Sequence, residues 1–275
     1  MAEYVERYEN LAEFLTKRGI LVTGEDHLGH GKSVSEGGSF GYFCEQDPAT
    51  VVVRDVHRLK KITEEQYPQV PYIILGHSMG SFIARNYLCR YGSGIGGAVI
   101  VGTGMQPAGL IFASKAMAGI QKLFCGSKHV SHFIDKAAFG GYNKRIDSPR
   151  TSSDWLSRNT ENVDRYIEDE LCGFTFTVNG FQTLFELIRR LQKQENLEKV
   201  PQNLPILMVS GAEDPVGDYG KGVHKACDSL KRAGVKNITV KLYENDRHEL
   251  LNEDDAEVAM EDIWQWICKE IPGIA

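Results

Sequence analysis

Short apolar segments that alternate with helical segments constrain the fold of this chain more than any other feature. Strands separated by helices pair in parallel, and strands that are apolar throughout are buried on both faces. The sequence therefore predicts an α/β fold with a mostly parallel sheet and helices on both of its faces. The strands are expected at residues 20–23, 71–75, 98–101, 205–210 and 238–243, and the helices at residues 3–18, 48–67, 78–91, 223–233 and 256–271.

Residues 104–203 interrupt this alternation, because they contain helical patches but no comparable apolar strand. The clearest amphipathic stretch is residues 184–191. The sequence thus predicts a core formed by residues 1–103 and 204–275, with a helical insertion between them.

Composition narrows the classes of function. The net charge is −6 over 275 residues and the basic residues are dispersed, so nucleic acid is not an expected partner. No apolar run approaches the roughly 20 residues that span a bilayer, and the first residues lack a leader-like apolar block, so a cytoplasmic protein is expected. The six cysteines are scattered, and neither a metal nor a nucleotide or other cofactor is expected.

The pentapeptide from Gly76 to Gly80 matches the pattern G-x-S-x-G and lies between a predicted strand and a predicted helix. This context is that of a nucleophile elbow, in which a tight turn exposes a serine hydroxyl above the sheet edge. Ser78 is the candidate nucleophile and the backbone N–H of Met79 the candidate oxyanion donor. Both glycines are expected to be required, since a side chain at either position would obstruct the turn. The alternative is a glycine-rich turn whose serine caps a helix.

A serine nucleophile needs a base and an orienting acid, and these follow the serine in the chain order acid, then histidine. Asp214 and His248 each come shortly after a predicted strand, on the same sheet edge as Ser78. Glu213, Asp218 and Asp246 remain rivals for the acid.

The other histidines considered are expected to be surface or satisfied core residues, and the one inside the pentapeptide is expected to point away from the nucleophile. They are His77, His129, His132 and His224.

Residues 26–33, together with residues 76–80, resemble the monoacylglycerol lipase and lysophospholipase branch of the α/β-hydrolases, also described as serine aminopeptidase-like. Residues 211–220 and 246–248 are similar to the acid and histidine segments of that branch. The resemblance implies that residues 104–203 form a cap over the site and that the substrate is a small-molecule ester or lipid with one acyl chain. Transient contact of the cap with a membrane surface would require an exposed apolar face, and the oligomeric state stays open.

The chain departs from this family at its beginning, where members usually have about three further strands. The second oxyanion donor of the family lies in the loop after the third of these strands, and its bearer corresponds to Met1 or Ala2. The sequence is therefore expected to be a fragment of an active serine esterase. An amidase or peptidase with the same three residues, and a weakly active or inactive homologue, are the alternatives.

Overall fold

Four parallel strands form the sheet of this protein, whose computed structural model describes residues 1–274. They lie side by side in chain order, and Val99 of the second strand is opposite both Leu75 and Leu207 of its neighbours. The parallel sheet is thus confirmed. The strands are β1 (Ile73–His77), β2 (Gly97–Val101), β3 (Ile206–Gly211) and β4 (Ile238–Tyr243).

Helices connect these strands and also form the whole of the regular structure in residues 104–203, apart from one isolated bridge. The predicted helices agree with the observed ones to within a few residues, although a 3-10 turn (Val5–Tyr8) precedes the first. The α-helices are α1 (Glu9–Thr16), α2 (Pro48–Gln66), α3 (Met79–Tyr91), α4 (Ala108–Cys125), α5 (His132–Phe139), α6 (Thr160–Glu168), α7 (Val178–Leu191), α8 (Gln194–Leu197), α9 (Lys221–Arg232) and α10 (Ala256–Glu270). Among the described residues, no helix combines the length and the apolar character needed to cross a bilayer.

The sheet separates two apolar cores, because successive side chains of each strand point to opposite faces. Ala98 and Ile100 of β2 belong to the core shared with α2, α3, α7 and α9. Val99 and Val101 belong to the core shared with α1 and α10. Every residue of β2 is buried, as expected for a strand inside a sheet that is covered on both faces.

The strand predicted at residues 20–23 is wrong. Within the described part of the chain these residues form no strand, and Leu21 is half exposed. A strand is stabilised by hydrogen bonds to a neighbouring strand, and in residues 1–274 the edge strand β1 pairs with β2 alone. A β-rich composition is therefore insufficient here, because these residues pair with none of the four strands.

Helices α4 and α7 pack together beyond the carboxyl ends of the strands, and an ion-pair cluster links them. The carboxylate of Glu186 on α7 accepts hydrogen bonds from Lys115 on α4 and from Arg189 and Arg190, at 2.6 Å for Arg189 Nη2. Partial burial on its own would raise the pKa of Glu186, but these three cations lower it to about 2.

We expect the variant Glu186→Gln to weaken the attachment of α4 in a pH-dependent way. Because the folded-state pKa lies below the ordinary value, the stabilisation is present above about pH 4.5 and is lost as the pH falls towards 2. The group is partly solvated, so the loss at neutral pH should be at most about 1 kcal/mol. Chemical unfolding at pH 7 and pH 3 measures the difference. The exposed Glu198→Gln is the control, and an equal gap between variant and wild type at both pH values would contradict the assignment.

Candidate active site

Ser78 occupies the sharp turn between β1 and α3. Its backbone has φ of 54° and ψ of −120°, a conformation that a residue with a side chain rarely adopts. The Ser78 N–H donates to the carbonyl oxygen of Val101, 3.0 Å away, which ties the turn to the neighbouring strand. Strained backbone of this kind is typical of functional sites, and the geometry is that of a nucleophile elbow.

The two glycines of the turn differ in the space that a side chain would have at each position. A Cβ atom at Gly76 would lie 2.2 Å from the carbonyl oxygen of Gly80 and 2.9 Å from the side chain of Ala84. A Cβ atom at Gly80 would meet nothing within 4 Å. The expectation that both positions require glycine is therefore confirmed for Gly76 and wrong for Gly80.

We expect Gly76→Ala to destabilise the fold by about 3 kcal/mol or more, since the backbone it would strike cannot move away, and to lower Tm by roughly 6–12 °C. Gly80→Ala adds the same methyl group four residues further along the chain, in α3, and should leave Tm within about 2 °C of wild type. Thermal unfolding of the two variants compares them directly. Equal Tm values for both would show that the close approach at residue 76 is not rigid.

Met79 is the first residue of α3, so its N–H has no carbonyl one turn earlier to which it can bond. The residue is buried and borders the same cavity as Ser78. Its N–H lies at the N-terminus of α3, where the helix dipole favours a negative charge.

Asp214 and His248 are brought together although 34 residues separate them. Nδ1 of His248 lies 3.0 Å from Oδ2 of Asp214, and both side chains are buried. The carboxylate also accepts hydrogen bonds from the hydroxyl of Ser210 at 3.2 Å and from the N–H of Val216 at 2.8 Å. The carboxylate of Asp214 is therefore held as a hydrogen-bond acceptor. Because it occupies Nδ1 of His248, Nε2 is the ring nitrogen that remains able to act on a group in the cavity. His248 and Ser78 line that cavity together.

The other candidate acids are either paired with another residue or exposed to solvent. Asp246 is paired with Arg158, and burial and nearby acidic residues raise its pKa to about 6. Glu213 and Asp218 are exposed. Only Asp214, of the candidates named from the sequence, contacts the imidazole of His248.

Three of the remaining histidines are exposed, as predicted: His129, His132 and His224. His77 is a satisfied core histidine, also as predicted, since Nδ1 lies 2.7 Å from the hydroxyl of Tyr8 and Nε2 lies 3.0 Å from the carbonyl oxygen of His248. The expectation that it points away from the nucleophile is wrong. Its ring packs against the ring of His248, with centroids 4.7 Å apart, and it borders the same cavity as Ser78, because the loop carrying His248 passes over the end of β1.

A charged cluster that sequence reasoning missed surrounds His77. Glu3 Oε1 lies 3.6 Å from Nδ1 of His77, and Arg7 donates to Glu249 at 2.5 Å. Burial alone would lower the pKa of His77, but the hydrogen bonding and charge of Glu3 outweigh it and raise that pKa. Tyr166 lies under the Arg7 guanidinium, 5.1 Å from it. The four-residue spacing of Glu3 and Arg7 is typical of an ion pair on one helix face. Their further partners, His77 and Glu249, lie in distant segments and are not indicated by any local pattern.

The cavity has a volume of about 380 Å³ and two kinds of wall. Its polar lining includes Glu3, His77, Tyr166 and Glu249 of the charged cluster, together with Ser78, Gln106, Ser114, Tyr142 and His248. Its apolar walls come mainly from α4 and α7, and they include Leu110, Ile111, Met117, Leu184, Phe185 and Ile188. The volume falls within the roughly 300–1,000 Å³ that small-ligand sites occupy.

Two apolar segments between residues 104 and 203, namely residues 109–112 and 174–176, differ in what they contact. Leu110 and Ile111 line the cavity, whereas Phe112 is 77% exposed. Phe174 and Phe176 stack on each other and against His30 instead. The first segment contributes to the cavity and the second serves packing.

The first of the two N-terminal residues lies at the same cavity as the Ser78 turn. Met1 borders the cavity, and Ala2 is buried with a φ of 53°. The carbonyl oxygen of Ala2 accepts a hydrogen bond from the N–H of Gly173 at 3.0 Å, which ties this segment to the region of residues 104–203. Within the described residues, no three histidine, cysteine or carboxylate side chains are grouped so as to hold a metal ion.

A parallel sheet that presents a strained G-x-S-x-G turn at its carboxyl edge, followed in the chain by an aspartate and a histidine in contact, is the arrangement of the α/β-hydrolases, and this chain has that fold. Residues 1–255 match the family model described as Hydrolase_4, serine aminopeptidase, S33. The chain belongs to this family.

Individual relatives agree with this assignment. The chain is 29% identical over 253 residues to a monoglyceride lipase of Rattus norvegicus, covering 91% of this chain and 73% of the relative. It is 26% identical over 271 residues to a monoacylglycerol lipase of Mycolicibacterium smegmatis, covering 98% and 86%. A thermostable carboxyl esterase of Bacillus coagulans, solved in complex with glycerol, superimposes with a TM-score of 0.92 at 29% identity, covering 100% of this chain and 88% of that one.

Proposed function

We propose that this protein is a serine hydrolase that cleaves carboxylic esters of single-acyl lipids, of the monoacylglycerol or lysophospholipid type. The observation that carries the proposal is the cavity beside Ser78 and His248, apolar along α4 and α7 and polar at the charged cluster. An acyl chain suits the apolar walls and the hydroxyl-bearing alcohol portion suits the polar residues. Relatives named as monoglyceride and monoacylglycerol lipases support the same substrate class.

In the proposed reaction, Nε2 of His248 takes the proton of the Ser78 hydroxyl as Oγ bonds to the ester carbonyl carbon. Asp214 holds the imidazole through Nδ1 and stabilises its charged form. The N–H of Met79 donates to the oxyanion, with a second donor from the Met1 or Ala2 segment. The bond to the alcohol breaks, and the alcohol leaves with the proton from Nε2. Water then attacks the acyl-enzyme and gives a proton to Nε2 of His248. The bond from the acyl carbon to Oγ breaks, His248 returns the proton to Ser78, and the carboxylic acid is released.

The charged cluster is proposed to bind the alcohol portion of the substrate. Glu3 and Glu249 offer carboxylate acceptors to substrate hydroxyls, while Arg7 and His77 compensate their negative charge in a buried setting. Residues 104–203 act in this proposal as the cap that closes the acyl end of the cavity.

A substrate series tests the proposed function. Monoacylglycerols, simple p-nitrophenyl esters and amino-acid anilides are compared by kcat/KM with the purified protein. We expect the monoacylglycerols to be preferred and the anilides to be nearly inert. Preference for the anilides would instead favour a peptidase or amidase with the same residues. Absence of turnover together with absence of labelling by a fluorophosphonate would point to an inactive homologue.

We also propose that the cap contacts lipid surfaces through α4. Phe112, Leu123 and Phe124 are 77%, 84% and 85% exposed, which is a costly arrangement in water for large apolar side chains. Co-sedimentation with phosphatidylcholine vesicles should fall in the double variant Leu123→Ser/Phe124→Ser. It should not change in the control Val258→Ser, which removes an exposed apolar side chain from α10. Equal sedimentation of all three proteins would disprove this contact.

A further inference from the structure

A second, smaller pocket of about 200 Å³ lies between the insertion and the two loops that carry Asp214 and His248. The insertion contributes Tyr142 and Arg145, and the loop after β4 contributes Arg247. Tyr142 also lines the large cavity, so its ring forms a wall common to both. The small pocket thus adjoins the candidate active site without belonging to it.

Two guanidinium groups in this pocket lack carboxylate partners. The Cζ atom of Arg145 lies 3.5 Å from the ring centroid of Tyr219, a cation–π contact that orients the side chain. Nη1 of Arg247 donates to the carbonyl oxygens of Asp154 and Ser157, at 2.7 and 3.0 Å. Across residues 1–274, neither arginine forms an ion pair within 4.0 Å. Both charges are therefore positioned but not neutralised.

The rest of the lining favours an anion of limited size. The amide of Asn245 and the hydroxyl of Tyr219 add hydrogen-bond donors. One carboxylate, that of Glu213, also borders the pocket and opposes an anion, which leaves a net charge of one positive unit from the two arginines and Glu213. Planar guanidinium groups match the oxygens of phosphate better than any other side chain.

We propose that this pocket binds a phosphate-type oxyanion, carried either by a lipid headgroup or by free phosphate. The headgroup form rests on the proposed function, because it would make a lysophospholipid a substrate whose phosphate lies beyond Tyr142. The free form does not depend on catalysis. In both forms the anion draws Arg145 of the insertion and Arg247 of the core towards one ligand.

Calorimetric titration with inorganic phosphate tests the binding itself. We expect Arg145→Gln to weaken phosphate binding about tenfold, since it removes one charge-assisted contact. Glu213→Gln should strengthen it, since the opposing carboxylate is lost while the shape is kept. Arg165→Gln on α6, an exposed arginine outside the pocket, should leave it unchanged. The gain expected in Glu213→Gln cannot arise from misfolding. Absence of saturable binding by wild type, or binding indifferent to residues 145 and 213, would overturn the proposal.

The source of the phosphate follows from kinetics with two esters of the same acyl chain, a monoacylglycerol and its glycerol-phosphate counterpart. If the headgroup occupies the pocket, Arg145→Gln should lower kcat/KM for the phosphate ester about tenfold and leave the monoacylglycerol within about twofold. If Arg145→Gln changes kcat/KM equally for both esters, while the wild-type protein binds inorganic phosphate, the pocket is assigned to free phosphate. If neither ester is hydrolysed, the proposed function fails while the phosphate titration still decides the pocket.

Discussion

Ser78→Ala should abolish ester hydrolysis, with kcat reduced on the order of 10⁵–10⁶-fold, because without the Oγ nucleophile no acyl-enzyme forms. The replacement removes one oxygen at a position whose strained backbone, φ 54°, is set by the surrounding turn and by the bond to Val101. Fluorophosphonate labelling should be lost in the same variant. Stopped assays with a p-nitrophenyl ester and intact-protein mass spectrometry measure the two effects.

Ser81→Ala is the matched control for this prediction. Ser81 lies one turn into α3, and its hydroxyl donates to the carbonyl oxygen of Ser78 at 2.5 Å, so it is near the site but turned away from the cavity lining. It should retain labelling and most of the activity. Retained labelling of Ser78→Ala would show that the nucleophile is a different residue.

Asp214→Asn is expected to lower kcat by about 10⁴-fold while the fold is preserved. The buried carboxylate accepts from Nδ1 of His248, which leaves Nε2 free of its proton and able to take that of Ser78. An amide whose NH₂ group donates to Nδ1 instead would fix the opposite tautomer, with the proton on Nε2. The pH–rate profile should change together with kcat, and KM should change little.

The exposed Asp218→Asn provides the comparison for Asp214. Asp218 has a φ of 48°, which asparagine also adopts readily, so the substitution is conformationally matched. Activity close to that of wild type is expected. A large loss in Asp218→Asn with retained activity in Asp214→Asn would reverse the assignment of the acid.

The positions of Ser78, Asp214 and His248 at one sheet edge were accessible from the sequence because each follows a short apolar strand. Strand identity depends on local pattern, and parallel strands bring their carboxyl ends to the same side. The contact between Asp214 and His248 follows from this topology, and the structure contains it.

Features that depend on distant partners could not be predicted in the same way. Residues 20–23 have strand composition but pair with none of the four strands, so local propensity gave a wrong answer. The pairing of Arg7 with Glu249 joins residues 242 positions apart, and no local pattern encodes it. Whether a glycine is required, as at Gly76, depends on which atoms face it across the turn.

The hydrogen bond from His77 to the carbonyl oxygen of His248 has a consequence for engineering this protein. The residues proposed to recognise the alcohol portion also contact the peptide that carries the proposed general base, His248. Redesign of selectivity at Glu3 or His77 should therefore shift turnover as well, and the two traits are expected to evolve together. In the proposed function the acyl chain lies against α4 and α7, so acyl-chain preference should be free of this constraint and easier to change.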